Sequence, residues 1–163
     1  MKDTSSSNVV AMSSTIALLG QQHQDVLARL AEAETGLLTG GAFNLAPFAA
    51  FLAGDVCTHF AMEEQALFPI MARHLGTGQG PLAVMDAEHV AFRALLQALQ
   101  DTLAAGDVPG QRAAAAETIH LLRGHIHKED HVLFPMATHM LSAEEQQEVD
   151  RRAAALTRAA ATA

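Results

Sequence analysis

Apolar residues recur along this chain at the spacing of helices, not of strands. Ile16, Leu19, Val26, Leu27, Leu30, Leu37 and Leu38 follow a 3.6-residue period. Ser14 stands where an N-cap would open that helix, and Thr39-Gly40-Gly41 would end it. Asn44, with Pro47 in the first turn, starts a second helix that reaches about Leu75 and stops in Gly76-Thr77-Gly78-Gln79-Gly80. Pro81 opens a third helix, ended by Gly106, and Asp107 with Pro109 opens a fourth that runs to about Leu141. Ser142 and Glu145 form a capping box for a short fifth helix, whose larger apolar anchors are Val149 and Leu156. No stretch combines strand alternation with β-branched enrichment.

Helices of ~25–35 residues are ~37–52 Å long, and short joints favour antiparallel neighbours. The expected fold is all-α: an up-down-up-down four-helix bundle over residues 14–141. A flexible N-terminal tail would precede it at 1–13, and a short C-terminal helix and tail would follow at 142–163. A plain bundle is a scaffold and assigns no function.

Composition narrows the field. Ten Lys and Arg against eighteen Asp and Glu give the 163 residues a net charge of −8. That charge is a poor match for phosphate backbones or anionic lipid, so neither nucleic acid nor membrane is expected as a partner. A single cysteine, Cys57, allows no internal disulfide and no thiolate zinc site. No run of apolar residues is long enough to span a bilayer. The apolar patch Val9–Leu19 is broken by Ser13-Ser14-Thr15, and Asp3 offsets Lys2, which makes a weak signal peptide. The expected location is the cytoplasm. What stands out is nine histidines among so few cations.

Those histidines carry a repeat. At an offset of 66 residues His23 falls on His89, His59 on His125, Glu63 on Glu129, and Leu67-Phe68-Pro69 on Leu133-Phe134-Pro135. Each half is one helical hairpin, with its first His on the outgoing helix and a His-x-x-x-Glu pair on the returning one. Packing alone explains the Leu and Phe positions well. It explains the histidines poorly, because an inward position would prefer Leu.

Residues four apart on a helix are ~40° apart around it and ~6 Å apart along it. His59 and Glu63 therefore aim at one spot, as do His125 and Glu129. In an antiparallel bundle His23 lies across from His59, and His89 across from His125, so all six side chains can meet on the axis. Buried without a cation, such carboxylates would each be penalised by several kcal/mol. Two divalent ions remove that penalty. A nitrogen and oxygen ligand set without thiolate suits iron, manganese or zinc.

These residues resemble the hemerythrin-like family, the HHE cation-binding domains. The resemblance covers residues 14–141 and rests most on His59-Phe60-Ala61-Met62-Glu63 and His125-Ile126-His127-Lys128-Glu129, each followed by its Leu-Phe-Pro. It implies a non-haem centre of two iron ions, oxo- or hydroxo-bridged, in a four-helix bundle. His23 and His59 would ligate one iron, His89 and His125 the other, and Glu63 and Glu129 would bridge them. The implied partner is O2, NO or peroxide, in sensing, storage, detoxification or iron delivery. Two positions depart from the oxygen carriers of the family. Those have a fifth His one turn before the position of His89, where this chain has Met85, and an Asp five residues after the last His, where this chain has Glu129 four after. The pattern is nearer the bacterial HHE proteins, among them the metal-binding domain of proteins that repair iron centres after nitrosative stress. It favours peroxide or NO chemistry over clean O2 release. Those repair proteins carry an N-terminal cysteine-bearing segment, whereas no cysteine precedes Cys57 here.

The remaining candidates read as structural. Glu64 and Asp130 also match across the repeat but are rotated ~100° from their neighbours, which suggests solvated or supporting roles. His120, His127 and His131 form a stripe turned away from His125. His74 and His139 sit near helix C-termini, where a His favours the helix dipole. Cys57 reads as a small buried hydrophobe, and Met62, Met71, Met85, Met136 and Met140 as core filler. A ferritin-like centre needs two Glu-x-x-His motifs, and only Glu117-Thr118-Ile119-His120 is present. Two other readings stay open: a di-iron enzyme that consumes peroxide or oxidises a small organic substrate, and a binding module whose metal is structural.

Overall fold

The computed structural model describes residues 12–39 and 43–161. Residues 1–11 of the expected N-terminal tail lie outside the described residues. Among the described residues the chain forms helices and no strand. They are α1 (Ser14–Leu38), α2 (46–75), α3 (Gly80–Ala105), α4 (108–140) and α5 (Ala143–Ala161). None of them is long and apolar enough to cross a membrane.

The ends of these helices follow from local chemistry, with small corrections to the sequence reading. Ser13, not Ser14, caps α1: its hydroxyl accepts the Thr15 and Ile16 N–H groups at 3.2 and 3.4 Å. Ser13 is also buried, and its hydroxyl donates to Asp150 at 2.6 Å. Leu38, read as a core position, is 81% exposed as the last residue of α1. Asn44 Oδ1 accepts the Ala46 N–H at 3.0 Å, so Asn44 opens α2 from one residue before its cap position. Gly106 ends α3 in the left-handed region, at φ 68°, where a Cβ would be strained. Asp107 then caps α4 by accepting the Gly110 N–H at 3.1 Å. The capping box of α5 forms in both directions, Ser142 N–H to Glu145 at 2.9 Å and Glu145 N–H to Ser142 at 3.2 Å.

Two prolines inside the long helices have a use the sequence reading missed. α2 widens into π-helical turns at Leu52–Val56 and Glu63–Leu67, and α4 does so at Glu129–Leu133. Pro69 and Pro135 each follow the repeated π turn by two residues. A proline offers no N–H, and its ring crowds the carbonyl four residues back. Widening the turn relieves that crowding: the Phe68 N–H bonds to the Glu63 carbonyl and the Phe134 N–H to that of Glu129. The Leu-Phe-Pro tail thus puts a π turn at each repeated glutamate, a distortion common at functional sites.

α3 packs along α4, α1 lies against α4, and α2 lies against α3. The core has two apolar parts. One gathers Leu30, Leu52, Phe60, Phe92, Leu99 and Leu122; the other gathers Ile16, Leu19, Leu67, Ile70, Met71, Met85 and Val149. Met85 fills the place that Leu19 fills one repeat earlier, and is 2% exposed. α5 docks across α1 and α2 more firmly than two apolar anchors suggest. It buries Gln146, Val149 and Ala153 while Leu156 stays half-exposed. Arg73 grips Glu148 at 2.7 Å, and His74 Nε2 meets Glu145 at 2.7 Å.

Candidate metal centre

The structure brings all six repeated residues together. His23 comes from α1, His59 and Glu63 from α2, His89 from α3, and His125 and Glu129 from α4. None is more than 4% exposed. They form two overlapping groups, His23, His59, Glu63, Glu129 and Glu63, His89, His125, Glu129, in which one ligand atom per residue lies within 4.8 Å of the rest. Both glutamates belong to both groups.

Each imidazole is held from behind through Nδ1. His23 meets Asp130 at 2.6 Å, His59 meets the Gln22 side-chain oxygen at 2.8 Å, His89 meets Glu64 at 2.7 Å and His125 meets Glu88 at 3.0 Å. These acceptors require Nδ1 to carry the proton, so in the neutral ring Nε2 presents a lone pair inward. There it meets more acceptors. His23 Nε2 is 3.1 Å from Glu129 and 3.2 Å from His59 Nε2. His59 and His89 Nε2 approach Glu63 at 3.1 and 3.3 Å, and His125 Nε2 approaches Glu129 at 3.3 Å. Neither glutamate has a hydrogen-bond partner for its carboxylate oxygens, nor do His89 and His125 for Nε2. With the rings neutral and the carboxylates ionised, imidazole nitrogens and carboxylate oxygens face one another as acceptors in a buried space. That donor set fits hard or borderline divalent cations.

The ionisation of the cluster shows the same conflict. Burial, reinforced by the charge of Glu129, pushes the Glu63 carboxyl up to about 8. Burial acts on Glu129 in the same direction, but contacts with His125 and His23 outweigh it and hold that carboxyl low. Burial, then neighbouring His23, drives His59 down to about 3. Burial also opposes the charge on His125, yet Glu129 beside it lifts that imidazole to about 9. Two buried carboxylates this close need positive charge between them, and protons supply it only by taking over the metal-binding lone pairs.

Aromatic rings wall the cluster. Phe60 stacks on His89 with centroids 3.6 Å apart. Phe68 stacks on His89 at 5.7 Å and Phe134 on His23 at 5.3 Å, so each Leu-Phe-Pro phenylalanine covers the first histidine of the other repeat.

The other sequence candidates fall as follows. Glu64 and Asp130 support ring nitrogens from behind. His120, His127, His131 and His139 are exposed. Cys57 is half-buried at the edge of the apolar core, and burial raises its thiol. Gln22 and Glu88 were missed. The repeat relates them, since each directly precedes the first histidine of its half.

Comparison with known proteins agrees with the geometry. The Hemerythrin HHE cation binding domain matches residues 14–137. The iron-sulfur cluster repair protein YtfE of Citrobacter koseri is 31% identical over 103 residues, 58% of this chain and 47% of that protein. Its counterpart in Enterobacter sp. is also 31% identical, and that of Escherichia coli O139:H28 is 30% identical, over the same shares. The chain thus spans about half the length of these relatives. No solved structure matches it significantly.

Proposed function

The chain belongs to the hemerythrin HHE cation-binding family, and from that premise we propose that it holds a non-haem di-iron centre which binds a small ligand: O2, NO or peroxide. His23 and His59 would hold one iron, His89 and His125 the other, and Glu63 and Glu129 would bridge the pair. The carrying observation is the convergence of four imidazole nitrogens and two carboxylates inside two overlapping groups, with both carboxylates and the His89 and His125 Nε2 atoms left without a hydrogen-bond partner. The two-ion count and the choice of iron over manganese or zinc belong to this reading, as does the up-down-up-down bundle over residues 14–141, with the N-terminal tail before it and the C-terminal helix after it.

A bound iron pair would supply reversible one-electron chemistry and open positions for a diatomic ligand or peroxide. The protein's own part is to fix the ring tautomers through Gln22, Glu64, Glu88 and Asp130. Phe60, Phe68 and Phe134 exclude water around the rings. Met85 supplies no fifth imidazole, which leaves more coordination positions for exogenous ligands and favours NO or peroxide over clean O2 carriage. The relatives are named for iron-sulfur cluster repair, and sensing, detoxification or iron delivery in the cytoplasm suits a chain with this centre and a single cysteine.

Anaerobic loading with ferrous iron, followed by air or NO, tests the proposal. Visible charge-transfer absorption of an oxidised iron pair, or a nitrosyl spectrum, is expected. A colourless, air-stable protein with one zinc per chain would replace it with a structural metal. Steady peroxide consumption by the loaded protein would make it an enzyme.

A further inference from the structure

The two halves of the centre are not braced alike. Behind the His89/His125 half stand two carboxylates, each pinned by a cation. Glu64, which holds His89, is gripped by Arg93 at 2.7 Å, and Glu88, which holds His125, by Lys128 at 2.7 Å. Behind the His23/His59 half stand Asp130 and the neutral amide of Gln22. Among the described residues, no ion pair from Lys or Arg pins either of these two. The repeat makes the contrast sharp, because Gln22 occupies the position of Glu88.

A second observation falls on the same side. A surface cavity of about 480 Å³ between α1 and α2 is lined by Gln22, Asp25, Asp55, Thr58 and His59. Gln22 is the partner of His59 and also part of the cavity wall. A turn of this one side chain would free the His59 ring and let water reach it. Asp25, Glu32 and Asp55 outweigh Arg29 in that lining, and the surplus of negative charge favours a divalent cation over an anion in that space.

We infer that the two metal positions are unequal: the ion at His23/His59 exchanges first, by way of this cavity, and Gln22 sets its lability. This rests on the di-metal reading above. A carboxylate behind a metal-binding imidazole raises its ligand strength and fixes its orientation, and outer partners of this kind change metal affinity by about 10–100-fold. An amide accepts the same hydrogen bond without the charge.

The test is release of ferrous iron from anaerobically loaded protein into excess chromogenic chelator, followed as ions per chain against time. Wild type is expected to lose one ion fast and one slowly. Gln22→Glu should slow the fast phase by about ten-fold or more, and Glu88→Gln should speed the slow phase, with far-UV circular dichroism unchanged in both. Two ions leaving in one phase, or a fast phase that Gln22→Glu does not alter, would overturn the inequality and leave the di-metal reading intact. Fewer than two ions bound at the start would overturn both.

Discussion

His23 and His59 point their Nε2 atoms at each other across 3.2 Å, each with its Nδ1 already committed to an acceptor behind it. At most one of these two nitrogens can donate to the other, and only by taking a second proton onto its ring. A cation between them resolves the clash for both. The same logic holds for Glu63 and Glu129, which belong to both halves of the cluster.

Metal should therefore stabilise the fold. At a free ion concentration 100 times Kd, binding adds about 2.7 kcal/mol. For a domain of this size that is a rise in melting temperature of about 5–10 °C. Calorimetry of loaded and chelated protein checks it, and Glu129→Ala should lose most of the rise. Equal melting temperatures in all three would remove the cluster from the energetics of the fold.

The π turns give a second expectation. Pro135→Ala restores an N–H and removes the crowding that widens α4 at Glu129–Leu133. The helix should tighten and swing Glu129 off its bridging position. Metal affinity is expected to fall about ten-fold or more, while the metal-free protein melts at or above the wild-type temperature. Isothermal titration with a divalent ion, set beside a melting curve, separates the two effects.

The exposed histidines should be silent. The His127 and His131 rings lie tilted to each other on the solvent face, centroids 4.2 Å apart, away from the cluster. His127→Ala should leave the metal content of the loaded protein at the wild-type value. A large loss would mean that the ligand face of α4 is the other one.

Acid should loosen α5. Burial opposes the charge on Asp150, but bonds from Ser13 and Thr15 outweigh it and hold the carboxyl below its usual range. Arg73 holds the half-buried Glu148 at about 2, and the Ser142 N–H lowers Glu145. Depressed carboxylates stabilise the folded state fully above their unfolded values near 4, and lose that contribution as pH falls through the folded values. The melting temperature should thus decline with pH from about 4 downward. At pH 7, Asp150→Asn should lower it by about 3–6 °C, through the weakened bonds to Ser13 and Thr15. A flat melting profile across that window would detach these acids from stability.

Much of this was legible in the chain itself. Helix limits followed from Gly76, Gly106, Asp107 and the Ser142/Glu145 box, because caps and breakers act locally. The six residues of the cluster followed from a repeat whose spacing places them on facing helices. What stayed hidden depends on contacts between distant segments. The bond from Ser13 to Asp150 joins opposite ends of the chain, so nothing in residues 12–16 announces that Ser13 will be the cap. Gln22 and Glu88 serve histidines on neighbouring helices, and only the comparison of the two halves could have pointed to them. The two repeated π turns had a local signal, a proline six residues after each glutamate, which reads as packing until the backbone is seen.

The number of ferrous ions bound per chain, measured by anaerobic titration of wild type and Glu63→Ala, bears most directly on the centre. Two ions in wild type, with the variant losing tight binding at both positions together, is the outcome a shared bridge requires. One ion in wild type, or a variant that keeps two, would contradict it.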